Sequence, residues 1–375
     1  MMNRFLLGLV SLFLLLFFSI SPVYAQTTAA KQPPPPSDSY AKAQVVKIIK
    51  QGEKVVTGEK HPYQTLQLQV LDGPEKGKTI TTDYGTLITL REDQKVTPGQ
   101  NVVVMKTTSP QGTTYQIIDF YRLDRLYPLL FLFLAVVLIV SRLKGLGSLV
   151  GLSISLFVIM KFIVPQILAG QDPLLASIVG SLFIMVATMY LAHGFSLKTH
   201  IALFSTSLAL VLTGVLSYTF VHLTFLSGLG SDDAANLQFG QTSMINFQGL
   251  LLGGIMIGSL GVLEDITTGL AASIQELTQA NSKLRFTQLV TSGMRIGSEH
   301  IAALVNTLAL AYAGAGLPLF LLLVLNPNHQ PIWLILNSEL LMEEIVRTLA
   351  GSIGLILAVP LTAIFSAWAF REKLH

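Results

Sequence analysis

The sequence predicts a polytopic α-helical membrane protein, with about seven transmembrane helices after a cleaved signal peptide, that carries a small N-terminal extracytoplasmic all-β, OB-like domain. Three observations predict it. Of 375 residues 51% are hydrophobic and 12% charged, with mean hydropathy +0.61, whereas soluble domains average about 25% charged. Residues 40–122 alternate apolar and polar with a period of two, the mark of half-buried strands. From residue 126 onward, long apolar runs are separated by short polar segments, as membrane spans require.

The same composition excludes several functions. A net charge of +3 without any RNA- or DNA-reading motif gives no nucleic-acid partner. Zero cysteines exclude a disulfide framework, a thiol nucleophile, a lipoprotein anchor and thiolate metal sites. The seven histidines are scattered with no pair at ligand spacing, so no metal and no cofactor is expected.

In chain order, residues 1–25 read as a signal peptide: Asn3 and Arg4, the apolar run Phe5 to Ile20, a break at Pro22, then Val23-Tyr24-Ala25 before Gln26. An uncleaved first helix is the alternative, and either delivers the next segment outside the cytoplasm. Residues 26–39, with Lys31-Gln-Pro-Pro-Pro-Pro-Ser-Asp-Ser, form a Pro-rich linker that is stiff and polyproline-like. Residues 40–122 form the β-domain, with strands expected at Ala43–Ile49, Gln64–Leu71, Lys78–Thr82, Asn101–Met105 and Thr114–Ile118. The turn Asp72-Gly-Pro-Glu-Lys-Gly77 and the entry Pro98-Gly-Gln-Asn-Val102 suggest an OB-type barrel. No aromatic platform accompanies it, so a packing, gating or partner-binding module is expected rather than an oligonucleotide reader.

Residues 126–375 form the membrane domain. Spans are expected at Tyr127–Val140, Leu146–Leu168, Leu174–Ala192, Ile201–Leu226, Gly249–Leu277, Ile301–Leu325 and Leu349–Phe370. With the β-domain outside, Arg142, Lys144, Lys198, Lys283, Arg285, Arg295, Arg371 and Lys373 all fall in the cytoplasm, while Asp232 and Asp233 fall outside. That satisfies the positive-inside rule and puts the C-terminus inside. Lys161, within the second span, either snorkels to the headgroups or pairs with a buried acid. Residues 333–348 read as an amphipathic surface helix ahead of the last span.

The functional signal lies in residues 249–325. Gly254, Gly258, Gly261, Asp265, Gly269 and Ala272 recur at helical spacing, a small-residue stripe containing an acid. Ala302, Asn306, Ala309, Ala313 and Gly316 make a second stripe with an amide. Small stripes permit close helix approach in lipid, so the two helices are expected to touch and bring Asp265 to Asn306. An ionised Asp inside a spanning helix costs about 2.5–3.5 kcal/mol on insertion scales, so Glu264 and Asp265 need a partner, a proton or a wet cavity. The bland alternative is an Asp at the headgroup level of a glycine-rich helix. Against it, Ile266 to Leu277 stays mostly apolar or small, and the next basic residue is Lys283.

Four strings carry a resemblance: Gly261-Val-Leu-Glu-Asp-Ile-Thr-Thr-Gly-Leu-Ala-Ala-Ser-Ile-Gln-Glu276, Ser292-Gly-Met-Arg-Ile-Gly-Ser-Glu-His300, Asn306-Thr-Leu-Ala-Leu-Ala-Tyr-Ala-Gly314 and Arg347-Thr-Leu-Ala-Gly-Ser-Ile-Gly-Leu355. Through them, residues from about 130 to 370 resemble the YibE/F family of bacterial integral membrane proteins, which implies a bacterial plasma-membrane location and assigns no biochemical role. Glu264 stands where the family usually has Met, and Ser298-Glu299 where it tends to have Arg-Asp; Val305 replaces Thr. Gly261-Val-Leu-Glu-Asp265 is also distantly similar to the proton-relay helix of resistance-nodulation-division exporters and Sec accessory permeases, which carry larger periplasmic domains and more spans.

The expected function is therefore a permease for a small solute or ion, coupled to protons or cations. Asp265 would carry the coupling ion, with Glu264 or Glu299 as accessory carboxylate, and Asn306, Tyr312 and Lys161 as polar cavity neighbours. Gly254, Gly258, Gly261 and Gly269 would pack helices, with a homo-oligomer permitted if Gly254 and Gly258 face outward. The alternative from another class is a non-transporting scaffold or assembly factor whose residues 40–122 bind an envelope partner. No nucleophile elbow, zincin motif or Walker loop is present, so no enzyme is expected.

Overall fold

The structure is a computed structural model that describes residues 37–372, apart from 57–58, 87–88, 110–111, 240–244 and 327–328. The expected signal peptide and the linker up to residue 36 lie outside the described residues. The chain divides into two compact units, with the division at residues 136 and 137.

The first unit is an antiparallel five-stranded sheet in the order β3-β2-β1-β4-β5. Its strands are β1 (Ser37–Val56), β2 (Glu59–Val70), β3 (Thr79–Tyr84), β4 (Asn101–Ser109) and β5 (Gly112–Phe120), and each expected strand overlaps one of them. β1 pairs with β4 over Ser37–Gln44 and with β2 over Ala43–Val56, with register shifts between Val45 and Lys47 and between Ile48 and Lys50. Such bulges bend and twist a strand. The sheet curls so far that Thr82 Oγ1 of β3 donates to the Tyr115 carbonyl of β5 at 2.5 Å, making a half-barrel.

Alternation fills its interior: Val45, Leu66, Leu68, Val70, Ile80, Val102, Val104 and Ile117 are buried. The buried Gln64 amide answers both backbone groups of Val96, donating to its carbonyl at 3.0 Å and accepting from its N–H at 2.9 Å. That pins the crossover between β3 and β4 without leaving a buried polar group unmatched. Gly85 is required at its turn: φ is +93°, and a Cβ would lie 2.6 Å from the Pro62 carbonyl oxygen.

The second unit is helical. Its elements are α1 (Leu123–Val158, entering from the first unit), α2 (Val164–Leu168), α3 (Pro173–His193), α4 (Leu197–Leu223), α5 (Asp232–Phe239), α6 (Phe247–Ala280), α7 (Phe286–Ala315), α8 (Leu317–Leu325), α9 (Ile332–Leu336) and α10 (Glu339–Glu372). Among the described residues, five stretches are long and apolar enough to cross a membrane: Leu123–Leu168, Pro173–His193, Leu197–Leu223, Phe247–Ala280 and Glu339–Arg371.

Two of the seven expected spans fall within the first stretch, which is not straight. Arg142 leaves helical geometry with φ 51° and ψ −130°. A Cβ on Gly145 would stand 2.7 Å from the Val137 carbonyl oxygen, residues that a straight helix separates by about 12 Å. The chain doubles back there. A π-turn at Ile159–Ile163 joins α1 to α2, because Pro165 lacks the N–H that would reach the Lys161 carbonyl. The expected span 301–325 is divided between α7 and α8 at Gly316.

α6 is the axis of the bundle, packed against α3, α4, α7 and α10. Its inward face is Leu252, Ile255, Leu263, Ile266, Leu270 and Ile274, all buried. α10 corrects one expectation. The amphipathic surface helix at 333–348 is replaced by the short α9 and by the start of α10, which runs unbroken from Glu339 through the last span.

Candidate functional site

Glu264 and Asp265 sit on α6 where three helices surround a cavity of about 390 Å³. Ser148, Gly151 and Ser155 of α1 line one wall, Ile184, Thr188 and His193 of α3 another, and Gly261, Glu264, Asp265 and Thr268 of α6 the third. The space exists because the facing residues are small. Gly151 brings α1 onto Thr188, where a Cβ would be 3.4 Å from the threonine, yet serine and glycine side chains are too short to fill the remaining gap to α6.

The carboxylates differ in setting. Glu264 is half-buried and Asp265 exposed in the isolated chain. The Thr188 hydroxyl interacts with the Glu264 carboxyl, while Thr268 Oγ1 donates to the Glu264 carbonyl at 2.8 Å. Behind them, the buried Thr206 and Thr267 hydroxyls share a 2.6 Å hydrogen bond that ties α4 to α6.

A smaller cavity of about 260 Å³ adjoins the first, lined by Lys144, His193, Lys198, Thr199, Asp265, Thr268 and Gly269 among others. His193, Asp265 and Thr268 belong to both. Asp265 thus stands between an apolar, hydroxyl-lined chamber and a cationic one.

Its position along the bundle is given by α3. α3 and α6 run side by side in the same sense: Gly249 and Gly253 approach Pro173 and Ser177, and Glu264 meets Thr188. Asp265 is therefore about one turn short of the end of α3. α3 has 21 residues and α6 has 34, about 31 Å and about 51 Å, so α6 overruns a bilayer core of about 30 Å. Beyond Asp265, Ile266, Leu270 and Ile274 are buried against protein.

The small-residue stripe also faces elsewhere than expected. A Cβ at Gly254, Gly261 or Gly269 would meet nothing within 4 Å, and Gly258 is exposed. The α6–α7 contact is made instead by Ile274 over Gly293, where a Cβ would be 2.8 Å from the isoleucine Cδ1. Asn306 and Glu299 are exposed on α7, Lys161 is exposed on the π-turn, and none of them lines either cavity with Asp265. The Tyr312 side chain lies outside the described residues. The structure thus keeps Glu264, Asp265 and Gly261 together and adds Ser148, Gly151, Ser155, Thr188, His193, Lys144 and Lys198, which sequence reasoning missed. The run Ser148-x-x-Gly151-x-x-x-Ser155 was the available signal, a small face in the second expected span.

Fold and site define a helical protein of membrane-spanning type whose bundle carries an open, carboxylate-lined cavity and whose N-terminal unit is a β half-barrel. The family described as YibE/F-like protein matches residues 129–372, and with well over half of the chain covered, the chain belongs to that family. The match begins within α1 and leaves the half-barrel outside it. No curated protein and no solved structure matches the chain.

Proposed function

We propose that this chain is a plasma-membrane permease that moves a small solute or ion in step with a proton or cation taken up at Glu264 and Asp265. The observation that carries the reading is the pair of adjacent carboxylates facing a cavity between three apolar helices. Acidic side chains are expensive in a membrane and persist where they face a cavity and a pathway. The Gly261-x-x-x-Asp265 pattern, similar to proton-relay helices, points the same way.

The bundle is read with seven spans. The reversal at Arg142 divides the first apolar stretch in two, and α7 with α8 supplies another crossing. With the half-barrel outside, every basic turn described above lies in the cytoplasm. The half-barrel is read as OB-like, since β1 pairs with both β2 and β4 while β3 meets β5. The open face of Gly254 and Gly258 is available to a second copy.

The test is a pH-induced infrared difference spectrum of lipid-reconstituted protein. A carboxyl band present in the wild type and lost in Glu264→Gln or Asp265→Asn supports coupling at this pair. Spectra unchanged in both variants would remove it.

One observation favours the scaffold reading. Among the described residues, β2 pairs with β3 only from Gln64 onward while its pairing with β1 runs on to Val56 and Glu59, so Gly52–Val56 with Glu59–Tyr63 continue as a two-stranded ribbon. Protein partners commonly dock by adding to sheet strands. If deleting the ribbon abolishes function in cells while Asp265→Asn does not, the protein assembles an envelope complex rather than moving a solute.

A further inference from the structure

The smaller cavity carries charges that proton or cation coupling does not call for. Lys144 enters from the segment just past the reversal in α1, Lys198 from the first turn of α4, and His193 from the end of α3. Against them stands a single carboxylate, Asp265. Among the described residues neither lysine is held in an ion pair, so two lysines from separate helices line one open space. The wall keeps a positive excess even with His193 neutral. The Thr199 and Thr268 side chains line the same space.

A lysine ammonium is a compact point charge, suited to the tetrahedral oxygens of phosphate where planar bidentate recognition would favour arginine. A volume of about 260 Å³ lies below the roughly 300–1,000 Å³ of sites for drug-sized ligands. It admits an inorganic phosphate or one phosphodiester headgroup.

We propose that this cavity binds a phosphate oxyanion between Lys144 and Lys198, with Asp265 as an opposing charge that limits the affinity. The phosphate is either that of an anionic lipid headgroup or a free ion. The site shares Asp265 with the proposed coupling pair but does not depend on coupling, since its ligands are the lysines.

Two measurements on the full-length protein separate the sources. In nanodiscs of phosphatidylglycerol and phosphatidylcholine, native mass spectrometry counts the phosphatidylglycerol retained after extraction. In detergent, calorimetric titration measures binding of inorganic phosphate. Losing both charge-assisted contacts in Lys144→Gln/Lys198→Gln weakens whichever ligand binds by about tenfold or more, while Asp265→Asn strengthens it. Lys283→Gln, on the exposed turn between α6 and α7, matches the wild type and controls for general surface charge.

Lysine-dependent lipid retention that phosphate does not displace assigns a headgroup site; saturable phosphate binding assigns a soluble ion. Equal binding of both probes by the wild type and the double lysine variant, with folding confirmed by circular dichroism, overturns the proposal. So does an Asp265→Asn variant that binds more weakly than the wild type.

Discussion

The Gly230 N–H donates a 2.9 Å hydrogen bond to Glu343 Oε1, joining the turn after α4 to the first turns of α10 across 113 residues. One helical turn earlier, Glu339 Oε1 accepts from the Ser227 N–H at 2.5 Å, the Ser227 hydroxyl at 2.6 Å and the Gly228 N–H at 3.1 Å. The two carboxylates satisfy a cluster of backbone donors that no helix or strand would answer.

Glu343 is only 5% exposed, so truncating it leaves the part-buried Gly230 N–H without its acceptor. Glu343→Ala is expected to cost about 1–3 kcal/mol. Gly230→Ala acts from the other side, because its Cβ would lie 2.8 Å from the Glu343 carboxyl carbon. Thermal unfolding in detergent reads both; a melting temperature unchanged in either variant would show that the turn is not anchored this way.

The glycines of the bundle fall into two kinds that sequence does not distinguish. At Gly354 a Cβ would come 1.8 Å from Thr213 Oγ1, whose hydroxyl is tied to the Ala209 carbonyl at 2.9 Å. Gly354→Ala therefore forces α10 away from α4 and is expected to destabilise by about 1–3 kcal/mol. Gly261 has open space before it, and Gly261→Ala is expected to leave stability unchanged or raise it by up to about 1 kcal/mol. Equal losses in the two variants, measured by the same unfolding assay, would contradict the assignment.

That contrast marks how far the sequence could be read. The period of two located all five strands, and apolar runs located α3, α4 and α6 within a few residues, because burial against the core or lipid imposes those patterns directly. The pattern Gly254, Gly258, Gly261, Asp265 marked one face of α6 but not the helix beside it. A small face says that something can come close; which helix does so depends on the whole packing, and α7 is met by Ile274 instead. Glu264 and Asp265 were legible as acids in an apolar run. Thr188, Lys144 and Lys198 were not, since their relevance comes from helices that only the fold brings to α6. Glu339 and Glu343 looked like the polar side of a surface helix because their backbone partners lie in a distant turn.

In the half-barrel, Glu75 collects three donors: Lys78 Nζ at 2.9 Å, Lys106 Nζ at 3.1 Å and Tyr115 Oη at 2.9 Å. The Lys78 hydrogen bond first, then those of Lys106 and Tyr115, hold its carboxyl down to about 2 from an ordinary 4.5. A folded-state value below the unfolded one means that the contribution is fully present above about 4.5 and is lost as pH falls toward 2. Carboxyl NMR of glutamate-labelled protein should show Glu75 titrating near the bottom of that window. The stability difference between wild type and Glu75→Gln should shrink across it. A Glu75 resonance that titrates at the ordinary value would mean that the three contacts do not form in solution.

The reversal at Arg142 makes a prediction about the number of crossings. If the chain doubles back there, α1 contains one span before Arg142 and another after it, and the turn at 169–172 lies on the same side of the membrane as the half-barrel. A continuous helix through Leu168 would put that turn on the opposite side. The chain has no cysteine, so single substitutions can be read without removing any native thiol. With the half-barrel outside, Gln171→Cys is expected to react with a membrane-impermeant maleimide on intact cells. Lys283→Cys, in the turn after α6, is expected to react only after permeabilisation. Arg142 itself holds φ 51°, a conformation that costs a non-glycine residue about 1–3 kcal/mol. Arg142→Gly is therefore expected to keep the Gln171→Cys labelling pattern and raise the melting temperature. Labelling of Gln171→Cys only after permeabilisation would mean that the two halves of α1 do not cross separately, and with that the seven-span arrangement and the cytoplasmic placement of Lys144 would both fall.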